Sequence, residues 1–323
     1  MLKLLRIIQK YARRFGIEIV SIKKIKNIER TVSALLDLVV DGQDSGQPSS
    51  IQIIIFSKDR PLQLDGLLES IDKYEVYGEN ISYDILYHCS SKKYDHAYKK
   101  LLSRYTKNKI VFHSEKLFKQ DLIEIINNSS ASKVMFLCDD DLFVEKIDFD
   151  SLLPLNCKEL VPSLRLGENI SYSFAANSKQ DTPIFEIINS INNDEFICWP
   201  WIEYGYEWGY PLSVNGHIFN KNEIQIMANV IEYNGPNSFE SGIQYFNSSF
   251  KKRRGICFRN PKIINIPFNL VQNEAKNRKL NYSAEHLLGC FNNGYEMDID
   301  KYSTIYNNSV HLSAELYLIK KNK

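Results

Sequence analysis

Residues 133–143 read KVMFLCDDDLF. Lys133 to Cys138 form a short, mostly apolar run, and Asp139, Asp140 and Asp141 close it with adjacent carboxylates. Like charges this close repel, so the triplet is unfavourable unless something positive sits among them. The residues upstream say where the triplet lies. "IQIIIFS" (51–57) is a β-branched run of the kind a buried parallel strand presents. Pro61 then opens a helix with Leu64, Leu67, Leu68 and Ile71 on one face. "SYDILYHC" (82–89) is a second strand, and Tyr94, Tyr98, Leu101 and Tyr105 stripe a second helix. "KIVFHS" (109–114) is a third strand, and Phe118, Leu122, Ile125 and Ile126 stripe a third helix. Residues 133–138 make the fourth strand. Strand and helix alternate, which predicts an α/β fold: a Rossmann-like, mostly parallel sheet flanked by helices, with right-handed crossovers. The aspartates therefore fall just past the carboxyl end of a strand, where open α/β sheets bind ligands.

The bulk properties are those of an ordinary globular chain: 323 residues, 44% hydrophobic and 24% charged. That length suits one large domain with attachments, or two small ones. A formal net charge of +1 offers no field for nucleic acid. The six cysteines form no CxxC pair and read as reduced thiols of a cytosolic protein. No apolar run approaches the ~18 residues that span a bilayer. The start, "MLKLLRIIQKYARRFG", places Leu4, Ile8, Tyr11 and Phe15 at helical spacing among Lys3, Arg6, Lys10, Arg13 and Arg14. This basic amphipathic helix suits a peripheral contact of residues 1–16 with an anionic membrane face, or packing on its own domain or a dimer partner. "DGQDSGQPSS" (41–50) reads as a linker. The expected organisation is an N-terminal segment, 1–48, and a main domain, 49–323, with a donor half (49–150) and an acceptor half (151–323). The second half predicts short strands near 159–167, 210–219 and 261–268, and helices over 221–233 and 237–250.

In a strand-like continuation Asp139 and Asp141 point one way and Asp140 the other. The pair can then share a hard divalent cation, Mn²⁺ or Mg²⁺, which takes one or two carboxylates plus substrate phosphates. "IIIFSKDRPLQLDGLLESI", "KVMFLCDDDLF", "GHIFNKNEI" and "PNSFES" together resemble the GT-A glycosyltransferases, in particular bacterial family 2-like enzymes. The resemblance runs from about Ile51 to Phe246, and more loosely beyond. It implies a DxD motif that binds a nucleotide-sugar through the metal, with Asp141 as ligand and Asp139 nearer the ribose or a metal-bound water. Asp141→Asn is then expected to lower activity more than Asp140→Asn.

The same resemblance assigns the loop "FSKDRP" (56–61) to the nucleotide, with Ser57, Asp59 and Arg60 as donor contacts and Lys58 as a phosphate contact. It departs from the family at "YHCSS" (87–91), where an acidic pair usually reads the base; Ser90 is the remaining hydrogen-bonding candidate there. Asp139 and Asp140 count with these donor-binding residues. Arg165, alone among apolar residues, needs an acidic partner or a diphosphate. "WPWIEYGYEWGYPLSVNGHIF" (199–219) is dense in aromatic rings and suits a sugar platform or a core patch. The resemblance brings Gly216 and His217 toward the donor sugar. It also makes Glu240, at the start of a helix, the catalytic base of an inverting transfer, with Glu207 in reserve. Asn237 or Ser238 is expected to cap that helix. His311 completes the metal shell on the same analogy, and "KKRRG" (251–255) is a solvated face or an aid to diphosphate or lipid binding.

The function implied is a metal-dependent glycosyltransferase of cell-surface polysaccharide synthesis. It would take a nucleoside-diphosphate sugar, first of all a UDP-sugar, and a glycan or lipid-linked acceptor, in the cytoplasm or on the inner face of the cell membrane. A nucleotidyltransferase lacks support, because "FSKDRP" has no glycine to admit a triphosphate. A catalytically inactive sugar- or nucleotide-binding protein is the other reading.

Overall fold

The computed structural model describes residues 49–74, 76, 78–105, 110–189, 195–269 and 282–320. The expected N-terminal helix and most of the linker lie outside the described residues, as do Arg278 and Lys279, two basic residues of the polar stretch 265–279 that the sequence offers as phosphate ligands. The chain builds β1 (Ile51–Lys58), α1 (Pro61–Lys73), β2 (Ile81–His88), α2 (Lys92–Leu102), β3 (Ile110–Ser114), α3 (Phe118–Asn128) and β4 (Lys133–Cys138). It continues with β5 (Asp141–Phe143), β6 (Leu160–Ser163), a hairpin of β7 (Tyr172–Ser173) and β8 (Ser178–Lys179), β9 (Glu186–Asn189) and β10 (Glu195–Pro200). Then come β11 (Ile218–Asn220), α4 (Lys221–Val230), α5 (Pro236–Ile243), β12 (Arg254–Phe258) and β13 (Ile263–Asn265).

The central sheet has the order β11-β4-β1-β2-β3, with β1 to β4 parallel and β11 antiparallel. β1 is apolar at five of its eight positions, with an unbroken apolar stretch from Ile53 to Phe56, because both faces are covered. Ile51, Ile53 and Ile55 pack on one face with Leu64, Leu67 and Leu68 of α1 and Tyr98 of α2. Ile54 and Phe56 pack on the other with Phe118 and Leu122 of α3 and Phe239 of α5. Each such side chain, fully buried, contributes about 1.5–3 kcal/mol.

The chain lays down β1, β2 and β3 to one side and then crosses back to place β4 on the other side of β1. The loops that leave β1 and β4 therefore diverge, which opens a crevice at their carboxyl ends. Phe56 pairs with Cys138, so the two strands end nearly level and the 57–60 segment meets the aspartates. β13 runs antiparallel to β5 and sets Asn265 opposite Asp141. A second sheet has the order β6-β12-β10-β9 and belongs to the second half of the chain.

Some expectations change here. Of the predicted 210–219 strand only Ile218–Asn220 forms, since Pro211 and Gly216, at φ +69°, interrupt what precedes it. All three tryptophans are core residues: Trp199 packs edge-on against Trp201 and Trp208, at ring separations of 4.7 and 4.8 Å. They form no sugar platform. Helix α5 is capped by neither Asn237 nor Ser238; Gly235 is the N-cap, Pro236 follows it, and the Ser238 hydroxyl reaches back to accept the Gly235 N–H at 3.1 Å. Within "KKRRG", Arg253 is buried over the Phe250 ring and forms two hydrogen bonds to Glu223, of 2.9 and 2.6 Å.

Arg253→Ala leaves Glu223 buried without its partner, and should lower unfolding free energy by about 3–5 kcal/mol. Urea denaturation followed by tryptophan fluorescence measures this; an unchanged midpoint would show the pair to be dispensable.

Candidate functional site

A cavity of about 730 Å³ opens at the carboxyl ends of β1 and β4. Ser57, Lys58, Arg60, Asp139 and Asp140 line one wall; Arg165, Glu207, Tyr210 and Glu240 line another. Asn265 and His311 also border it.

The positive group among the aspartates is Arg60. Its Nη1 donates to Asp139 Oδ1 at 2.8 Å and to Asp140 Oδ2 at 3.1 Å, and its Nη2 donates to the Asn269 carbonyl. Asp139 Oδ2 accepts from the Ser57 hydroxyl at 2.8 Å and the Lys58 N–H at 3.2 Å. β4 stops at Cys138, and Asp139 and Asp140 turn the chain before β5 starts at Asp141. Side-chain alternation does not continue through a turn, so Asp139 and Asp141 are not a same-face pair. Asp141 is fully buried; its Oδ2 accepts the Cys138 N–H at 2.7 Å and its Oδ1 the amides of Asn265 and Asn215, at 2.9 and 3.4 Å. Burial and then the charge of Asp140 push the Asp141 carboxyl up to about 8. Burial also raises Asp139, against the pull of Arg60.

Asn265, which the sequence reading missed, organises the far side of the triplet. Its Nδ2 donates to Asp140 Oδ1 at 2.8 Å as well as to Asp141. An amide that faces two carboxylates turns its oxygen to the third neighbour, His311 Nδ1 at 2.8 Å, so that nitrogen carries the proton. The other ring nitrogen, Nε2, keeps its lone pair. Burial lowers the His311 pKa, which favours this neutral form. The sequence signal for Asn265 was one polar residue inside the apolar run "IINIPF".

Glu240 is half-buried on α5, where its Oε1 accepts the Val214 N–H at 3.1 Å. Burial raises its pKa, and Arg165 opposes the shift. Glu207 is engaged elsewhere: its Oε2 takes the Arg165 Nη2 at 2.7 Å, a buried pair that answers the need for a partner at Arg165. Of the two candidate bases, Glu240 is the one without a cationic partner at contact distance among the described residues.

Other expected donor contacts do not reach the cavity. Asp59 is buried at φ +53° and its Oδ1 accepts the Ser90 N–H at 2.8 Å, so the two tie neighbouring loops together. Ser90 itself is exposed. A Cβ at Gly216 would meet Ile263 Cδ1 at 2.3 Å, so its close approach is to the core rather than to a sugar. His217 is fully buried beside Trp201, with Nδ1 on the Pro211 carbonyl at 2.9 Å; burial lowers its pKa to about 3. Glu115, which follows β3, borders the cavity 3.6 Å from His88 Nδ1.

A cation shared by Asp139 and Asp141 does not fit, because a turn separates the two and Asp141 is fully buried and does not line the cavity. Among the described residues no three His, Cys, Asp or Glu side chains cluster to hold a metal. Asp140 and His311 offer a smaller ligand set: both border the cavity and both are oriented by Asn265, and the Asp140 oxygens, which accept from Arg60 and Asn265, keep further lone pairs for an ion. A divalent ion on a sugar diphosphate needs only one or two protein ligands, with phosphate and water completing the shell.

No family model matches the chain. Over 214 residues it is 27% identical to the bifunctional glycosyltransferase pgtA of Dictyostelium discoideum, a match that covers 59% of this chain and 28% of that protein. The chain therefore spans less than a third of that relative's length. Among solved structures, S. aureus TarS aligns at a TM-score of 0.42 with 13% identity, over 65% of this chain and 35% of TarS. The WbbM bifunctional glycosyltransferase aligns at 0.36 with 14% identity, over 68% of this chain and 40% of that one. At these scores neither lends this chain a residue role or a substrate. The sequence likeness to a glycosyltransferase agrees with the resemblance carried by the motifs.

The geometry separates the three aspartates by what each would lose. Asp141→Asn sets an amide against buried donors and should lower stability by about 1–3 kcal/mol. Asp140→Asn, half-buried at the cavity, should change it by less than about 1 kcal/mol. Thermal unfolding of both variants checks the order, and equal losses would contradict it.

Proposed function

We propose that the chain transfers a sugar from a nucleoside-diphosphate sugar to a hydroxyl of a glycan or lipid-linked saccharide, by one displacement with inversion. The observation that carries this reading is the placement, across one cavity at the switch point between β1 and β4, of the aspartate turn opposite the carboxylate of Glu240. The likeness to a glycosyltransferase supports the same reaction class. A UDP-sugar is the first donor to try.

Glu240 accepts the proton of the acceptor hydroxyl as that oxygen attacks the anomeric carbon. The bond from that carbon to the diphosphate oxygen breaks, and the diphosphate leaves with its electron pair. Asp140 and His311 would hold a Mn²⁺ or Mg²⁺ ion, with Asn265 orienting both. Such an ion, when bound, neutralises the charge on the leaving diphosphate. Arg60 keeps Asp139 ionised and fixed against β1, which holds the turn in place. The Arg165–Glu207 pair keeps Glu207 from acting as a second base. The basic sequence of residues 1–16 is the reason to place this reaction in the cytoplasm, at an anionic membrane face.

Two measurements test the reading. UDP with Mn²⁺ should raise the melting temperature, and EDTA or Asp140→Asn should remove that shift; no metal-dependent shift with any nucleoside diphosphate would overturn it. Glu240→Gln should lower kcat by about 10²–10⁴-fold with nucleotide affinity unchanged. Because Glu240 must be ionised to act, and burial holds its proton, wild-type kcat/KM should fall on the acid side with a midpoint above about 4.3, the ordinary value for glutamate.

A further inference from the structure

Among the described residues, three that are not glycine have positive φ: Asp59 at 53°, Asn177 at 53° and Tyr206 at 49°. Asp and Asn tolerate this left-handed backbone because their short polar side chains bond locally. Tyrosine does not, and a bulky residue there is strained. Strain of this kind persists only where the neighbours leave no alternative. Here they do not. The next residue, Glu207, is held by Arg165 at 2.7 Å and by its N–H on Gln180 Oε1 at 3.2 Å. Trp208 is fully buried, with its indole N–H on the Ile170 carbonyl at 2.9 Å. The Gly209 N–H closes the turn on the Gly205 carbonyl at 3.0 Å.

A core residue would repay such strain by packing. Tyr206 does not, since it is 53% exposed. It borders the cavity instead, which Phe174, Ala175, Ala176 and Tyr210 also line. Asparagine or glycine would fit the backbone better, and the ring gains no burial in return. A partly exposed ring beside carboxylates suits a ligand with an apolar C–H face and a rim of hydroxyls, which is the chemistry of a pyranose. We propose that Tyr206 is the stacking platform of a saccharide subsite, which, on the reading above, receives the acceptor. The three tryptophans of the same aromatic stretch serve the core; this tyrosine serves the cavity.

The test uses saturation-transfer NMR with methyl β-glycosides of glucose, galactose and N-acetylglucosamine as probes, on full-length wild type and on Tyr206→Phe, Tyr206→Ala and Tyr206→Asn. Melting temperatures are read on the same samples, and UDP binding with Mn²⁺ on wild type. At least one glycoside should show transfer to its ring C–H protons, retained by Tyr206→Phe. Both ringless variants should bind it about five- to tenfold more weakly. Tyr206→Asn, which accommodates the backbone, should melt at or above the wild-type temperature, and above Tyr206→Ala. Absence of transfer in wild type, undiminished transfer in Tyr206→Asn, or a fall of several degrees in its melting temperature would each overturn the proposal. Saccharide binding through Tyr206 in a protein that binds no nucleoside diphosphate would sustain the platform and sink the transferase reading.

Discussion

Three neighbouring carboxylates cannot be folded into the end of a sheet without donors to receive them. Arg60 and Asn265 supply those donors, and much of the site follows from how they get there. Arg60 leaves the end of β1, and β1 lies beside β4 with the two strands ending level. Its guanidinium therefore reaches Asp139 and Asp140 directly. Asn265 arrives through the antiparallel pairing of β13 with β5. It also clamps the C-terminal segment: the Leu312 N–H donates to its carbonyl at 2.8 Å, and its own N–H donates to that of Val310 at 3.2 Å. That clamp is what brings His311 to the cavity.

The same constraint divides the labour among the aspartates. Asp139 pairs with Arg60 and braces the turn against β1. Asp141 is sealed inside, where it stitches the turn to Asn215 and Asn265. Asp140 remains at the cavity, joined through Asn265 to His311. Across the cavity a second buried pair, Arg165 with Glu207, ties up one carboxylate, and Glu240 lines the same wall.

The parallel sheet was legible because its strands are short, mostly apolar and β-branched or aromatic, with helix stripes between them. β4 ends at Cys138, where the apolar run does. What failed was the extension of strand geometry across that boundary: alternation paired Asp139 with Asp141, but a turn intervenes. Gly216 and His217 were misplaced because a short loop beside a cavity can point either way, and these two point into the core. Asn265 and Glu115 could not be placed by local pattern. Asn265 reaches Asp140 across 125 residues, and only the pairing of β13 with β5 makes them neighbours. The exposed Tyr206 was visible only as one ring among many until its backbone angle set it apart.

A crystal structure of the protein with UDP and Mn²⁺ tests the central claim most directly. The account predicts that the ion lies within about 2.0–2.3 Å of an Asp140 oxygen and the His311 Nε2, with Arg60 still on Asp139 and Asp141 still buried. An ion ligated by Asp139 and Asp141 together, with Arg60 displaced, would contradict it.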